Sequence, residues 1–200
     1  MTVSISRAQL LRRSAKSGAA LVVAGAALGQ FAETAAAALP LTDTAYVRLL
    51  VTAELLASDF YSQAIAASVS SATVTKYLKL AYFNEQEHYA SIAGILSGEG
   101  VTAAVSNDVT FSYPDGTFAS QKSIVAFAAS LEGIVLGTYL GALSSIQTTS
   151  LLTGIGEIAA SEAQHASYFN VANGGQAFRL SFPPALTQAE ATAAMAPYTA

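Results

Sequence analysis

The chain has two histidines in 200 residues, and each follows a glutamate by three positions: Glu85-Gln86-Glu87-His88 and Glu162-Ala163-Gln164-His165. Glu54 stands thirty-one residues before the first pair and Glu132 thirty before the second. Residues at i and i+3 share a helix face about one turn apart, so each pair can offer two ligands side by side. Six inward ligands of this order on four helices hold two metal ions in a bundle core. Glutamate fills nine of 200 positions. Both histidines would gain a glutamate at i−3 in about one random shuffle in 500, so chance is a poor account of the match. Carboxylate and imidazole suit two iron or two manganese ions, and a thiolate-free set does not exclude zinc.

Each of these residues falls in an apolar stripe. Glu132 lies between Ala128 and Val135-Leu136. A buried, unpaired carboxylate is very costly, so something must neutralise it. No lysine or arginine lies between Lys79 and Lys122, or between Lys122 and Arg179. Two divalent cations against four carboxylates balance to zero, with two neutral imidazoles completing the shells. Tyr61 and Tyr139 stand two turns beyond Glu54 and Glu132 on the same faces. They could bond a ligand or relay electrons, or be ordinary core residues with a satisfied hydroxyl. Asp59, Glu87 and Glu157 fall off these faces and read as surface groups; an extra ligand role for Glu87 is the minor alternative.

The elements that position these residues are helices. Four long segments show i, i+3, i+4, i+7 apolar spacing. The first is capped by Thr42 or Asp43 and runs to about Ser68. The second is capped by Ser70 or Ser71 and ends before Gly98 and Gly100. The third is capped by Ser120. The fourth starts after Ser150 and stops at Gly174-Gly175. Short turns join one to two and three to four, which predicts two antiparallel hairpins. The turn-rich stretch from Ser97 to Ala119 is long enough to cross the length of a bundle. Each half reads Glu, Tyr, Glu-x-x-His, a faint repeat that implies a pseudo-twofold. Beyond Phe182-Pro183-Pro184, Thr187-x-x-Glu190 reads as a capping box for a short last helix, ended by Pro197 and packed across the bundle.

Composition narrows the function. There is no cysteine, which excludes disulfides, thiolate metal sites and iron–sulfur clusters. The net charge of −4 and the lack of a basic stripe argue against a nucleic-acid partner. Arg7, Arg12, Arg13 and Lys16 supply four of the nine basic residues. An apolar run over Gly18–Leu28 and small residues over Thr34–Ala38 follow them. That is the layout of an export signal over 1–38, cleaved near Ala38 to leave about 162 residues (39–200) as one domain. Arg12-Arg13 with Lys16 resembles a twin-arginine signal, with an ordinary secretory signal as the alternative. The run is too short to leave a stable membrane span in the mature form. The expected location is periplasmic or extracellular.

At these residues the chain resembles the ferritin-like superfamily. Glu54, Glu85, His88, Glu132, Glu162 and His165 match that family's six ligands one for one. The exported leader and the Pro-rich tail resemble the ferritin-like proteins related to desiccation-associated proteins. The resemblance implies an all-α, ferritin-like four-helix bundle with a diiron or dimanganese centre and a short C-terminal helix. It also implies chemistry on a small oxidant (peroxide or oxygen) or on ferrous iron, as a ferroxidase, peroxidase or catalase-like protein. Two functions stay open: a metal-dependent oxidoreductase acting under stress, and a non-catalytic protective or structural bundle with a structural metal site. A homo-oligomer is compatible with either.

Overall fold

The computed structural model describes residues 38–178 and 180–199. The expected leader, apart from its last residue, lies outside them. The described residues form an all-α bundle: α1 (Leu41–Ala66), α2 (Ala72–Gly98), α3 (Gln121–Ser145), α4 (Thr149–Ala172) and a short α5 (Gln188–Met195). Single 3-10 turns occupy Ser106–Asp108 and Ala196–Tyr198.

Local chemistry explains most of the starts. Ser71 accepts from the backbone N–H of Val74 at 3.4 Å and caps α2. Ser120 and Ser123 cap α3 reciprocally, and Thr187 and Glu190 do the same for α5. α1 departs from expectation. It starts at Leu41 behind Pro40, with no side-chain cap. Asp43 turns away from its own helix and accepts from the N–H groups of Gln147 and Thr148 at 2.8–3.2 Å. Thr148, the first residue of the α4 cap, makes no side-chain cap bond of its own. Burial alone would raise the Asp43 pKa, but the N–H donors of Gln147 and Thr148 outweigh it and hold the group below its ordinary value. α1 ends at Ala66 because Ser68 takes a left-handed φ of 56°. α4 begins two residues earlier than expected, at Thr149, and stops at Ala172.

α1 packs on α2, α3 on α4, and α1 on α3. Glu54 meets Tyr139 and Tyr61 meets Glu132, so α1 and α3 run antiparallel. Asn84 meets His165 and Tyr77 meets Tyr168, so α2 and α4 do as well. α2 and α3 are therefore parallel, which is why the crossover must travel the length of the bundle. α3 is long and apolar enough to cross a bilayer. Here it is a core helix, with Glu132 buried at its middle.

The tail crosses the bundle on the α3 side. Leu186 donates its N–H to the Gly137 carbonyl at 2.8 Å. A Cβ at Gly141 would stand 1.8 Å from the Leu186 carbonyl oxygen, so only glycine permits this approach. The end of the tail then pairs with the crossover, where Ser112 donates to the Tyr198 carbonyl and Phe111 bridges to Thr199.

Candidate metal centre

All six residues singled out by spacing meet at the middle of the bundle. Glu54 from α1, Glu85 and His88 from α2, and Glu162 from α4 offer donor atoms within 4.8 Å of one another. So do Glu132 from α3, Glu162 and His165 from α4, and Glu85 from α2. Glu85 and Glu162 belong to both groups. All four glutamates are fully buried, whereas the His88 and His165 side chains keep 12% and 9% of their surface. The imidazoles are thus the part of the cluster that reaches toward solvent.

The cluster is nearly symmetric. His88 Nδ1 lies 2.7 Å from Glu162 Oε1 and 3.2 Å from Glu85 Oε2. His165 Nδ1 lies 3.0 Å from Glu85 Oε1 and 3.3 Å from Glu162 Oε2. Tyr61 donates its hydroxyl to Glu132 Oε1 and Tyr139 donates its hydroxyl to Glu54 Oε1. Each tyrosine therefore serves the carboxylate of the other hairpin. The remaining oxygens, Glu54 Oε2 and Glu132 Oε2, have no hydrogen-bond partner. Nor do Glu85 Oε1, both Glu162 oxygens or His165 Nδ1. Buried polar atoms are almost always satisfied. Among the described residues the unsatisfied buried side-chain atoms are these six and the Ser70 hydroxyl, so the exception is concentrated at one point. Oxygen-rich donors with two imidazoles, all aimed inward, fit hard or borderline divalent cations.

The protein's own titration answers the same crowding. Burial pushes the Glu54 carboxyl well up, and the neighbouring Glu85 and Glu162 add to it. Burial also pushes Glu132 well up, against the pull of His165. For Glu162, burial is outweighed by His165 and His88, which hold it down at about 2. Burial would depress His88, but Glu162 and Glu85 push it up to about 9. His165 is likewise raised far above its usual value by Glu132, Glu162 and Glu85 against burial. Burial first, and Glu132 or Glu54 next, raise Tyr61 and Tyr139 well above the phenol range, so both keep the proton they donate. Protein groups alone neutralise the cluster only by charging both imidazoles and protonating carboxylates. Two divalent cations would do it with the imidazoles neutral.

Other residues take different places. Glu87 and Glu157 are exposed and stand apart from the cluster. Asp59, expected at the surface, is half-buried; the Tyr113 hydroxyl and the Gln63 amide each donate to it at 2.8 Å. Spacing did not single out Asn84, whose amide lies 3.0 Å from His165 Nε2. A signal existed, because Asn84 is four residues before His88 and so shares its face. The stacking of Tyr77 on Tyr168, with centroids 3.7 Å apart, bridges α2 and α4 and had no signal in local spacing.

Compared with known protein families, residues 42–175 match the ferritin-like domain family. No curated protein matches the chain.

Proposed function

From the premise that the chain belongs to the ferritin-like domain family, we propose that it holds a dinuclear iron or manganese centre. We further propose that this centre serves redox chemistry on peroxide, oxygen or ferrous iron under stress. The observation that carries the proposal is the convergence of four fully buried carboxylates and two imidazoles on one point, with Glu54 Oε2 and Glu132 Oε2 left without a hydrogen-bond partner. In this reading Glu54 and His88 would hold one ion and Glu132 and His165 the other, with Glu85 and Glu162 within reach of both. When bound, the two ions would supply electron exchange with a small oxidant.

The chain's own residues would do the positioning. Each tyrosine fixes one oxygen of Glu54 or Glu132 and leaves the other oxygen free for a metal. Such outer partners orient ligands and tune affinity. The Asn84 amide nitrogen stands 3.0 Å from His165 Nε2. With Nδ1 on a metal, Nε2 would carry the ring proton, and the Asn84 amide would turn its oxygen toward it to accept. The surrounding apolar side chains keep water from competing for the carboxylates. The same burial makes the ions counter-charges of the fold, so a protective bundle with a structural metal site is the second reading. Peroxide decomposition or ferrous-iron oxidation by the metal-loaded protein, lost in Glu132→Ala, supports the redox reading. Full metal content with no turnover of either substrate supports the structural one. A folded native protein carrying neither iron nor manganese defeats the redox reading, and one carrying no metal at all defeats both.

We extend the proposal to export by the twin-arginine route, which would load metal before the protein meets copper and zinc outside. Replacing Arg12-Arg13 with lysines should block export; normal export of that variant refutes this part alone.

A further inference from the structure

α2 carries a stripe that the bundle does not use. Thr73, Lys76, Leu80, Phe83, Glu87 and Ala90 succeed one another at steps of three and four, so they share one helix face, and all are exposed. Leu80 and Phe83 keep 49% and 57% of their surface open to solvent. Scattered exposed apolar residues are ordinary, but two large ones side by side in a heptad row, framed by opposite charges, mark a contact surface. The second hairpin shows that the fold does not require this. The pseudo-twofold carries Lys76, Leu80, Phe83 and Glu87 onto Thr153, Glu157, Ala160 and Gln164 of α4, which are equally exposed and are all small or polar.

We propose that this stripe is a homodimer interface, in which α2 packs antiparallel on α2 of a second copy about a twofold axis passing between Leu80 and Phe83. That axis sets Leu80 against Phe83 of the second copy and Lys76 against its Glu87, and each contact occurs twice, as a self-complementary interface demands. A parallel pairing would instead set Lys76 on Lys76 and Glu87 on Glu87, which like-charge repulsion disfavours. The charge order along the stripe therefore selects both the partner and the direction. A shallow, open patch of Ala72, Thr75, Lys76, Lys79 and Leu80 lies beside the place that this pairing would give Glu87 of the second copy. It offers that carboxylate two ammonium groups. Among the described residues, neither lysine nor Glu87 makes an ion pair within its own chain. The interface is independent of the metal reading, because none of its residues belongs to the cluster.

One seam between helices is a small interface, so the dimer should form in the micromolar range. Light scattering with sedimentation on the full chain, metals bound, from about 1 to 100 μM covers that range. The expected result is a mass rising to twice that of the chain. Leu80→Glu with Phe83→Glu should give one chain's mass throughout, with metal content and helicity unchanged. Lys76→Glu alone should weaken the dimer about tenfold or more. Lys76→Glu with Glu87→Lys should restore it, since the pairs re-form with signs reversed. The charge swap stands as a test even if the first variant fails to fold. A wild-type monomer over the whole range overturns the proposal, as does a dimer indifferent to Leu80→Glu with Phe83→Glu, or a swap that fails to restore. Binding of monomeric protein to anionic vesicles through the stripe would overturn it in favour of a membrane surface.

Discussion

The two hairpins match inside and differ outside. α1–α2 supplies Glu54, Tyr61, Glu85 and His88; α3–α4 supplies Glu132, Tyr139, Glu162 and His165, at the same helical positions and with mirrored contacts. Away from the centre the likeness ends. Asp59 and Gln63 of α1 correspond to Gly137 and Gly141 of α3, because only α3 receives the tail. Asn84 against the ring of His165 corresponds to Ser161, and Tyr77 corresponds to Gly154. The groove beside α1–α2 mixes Ser58, Asp59, Ser62 and Gln86 with Leu55, Val105 and Phe111. Its counterpart beside α3–α4, lined by Ala129, Gly133, Ala163, Phe178 and Leu180, is mostly small and apolar. Burying four carboxylates tolerates little variation, whereas outer faces need only suit what covers them.

The comparison can be broken first at the shared residues. Glu162→Ala or Glu85→Ala should remove a donor from both groups and lose nearly all bound metal. Glu54→Ala or Glu132→Ala removes a donor from one group only and should lose about half. Elemental analysis of the four variants separates the cases; equal losses in all four would mean that the two groups are not distinct ion sites.

The next effect lies where the hairpins part. Gly141→Ala drives a methyl into the Leu186 carbonyl and should cost about 2–3 kcal/mol or displace the tail. Gln63→Ala, at the matching place on α1, should cost well under 1 kcal/mol, as an exposed substitution does. Thermal unfolding compares the two. A smaller third effect tests the symmetry itself. Tyr61→Phe and Tyr139→Phe should each weaken metal binding about 10- to 100-fold, by similar factors, since each removes one oriented carboxylate bond. Titration with metal should show a single-sided loss only if the pseudo-twofold fails.

The smallest effect concerns how the second helix of each hairpin begins. Ser71 caps α2 from its own chain position, while Asp43 of α1 ties down the start of α4. Ser71→Ala and Asp43→Ala should each cost about 1 kcal/mol at neutral pH. Asp43 has a lowered pKa in the fold. Its contribution is present above the ordinary carboxylate range and is lost as pH falls through the folded value. The gap between wild type and Asp43→Ala should therefore narrow as pH falls below the ordinary carboxylate range, and the Ser71→Ala gap should not. Unfolding midpoints across pH check it.

The six central residues and the helices that carry them were legible because both obey local rules. Ligand types are few, and the 3.6-residue period places Glu85 beside His88 and Glu162 beside His165. The charge argument was legible as well, since lysine and arginine are sparse along the helices. The cap at Asp43 was misread because an aspartate near a helix start normally serves that helix, and the bond that wins here reaches the far end of α3. The approach of Leu186 to Gly141 left only a glycine in the sequence, and glycines have many uses. The cross-hairpin bonds of Tyr61 and Tyr139 depend on antiparallel register between α1 and α3, which spacing within one helix does not encode.

The central claim is that buried carboxylates at the bundle centre are neutralised by two metal ions. Elemental analysis of the native protein, taken with its thermal unfolding before and after chelation, tests it most directly. The account predicts two iron or manganese ions per chain and a clear loss of stability on their removal. A native, fully helical protein that carries no metal, and whose stability chelators leave unchanged, would contradict it.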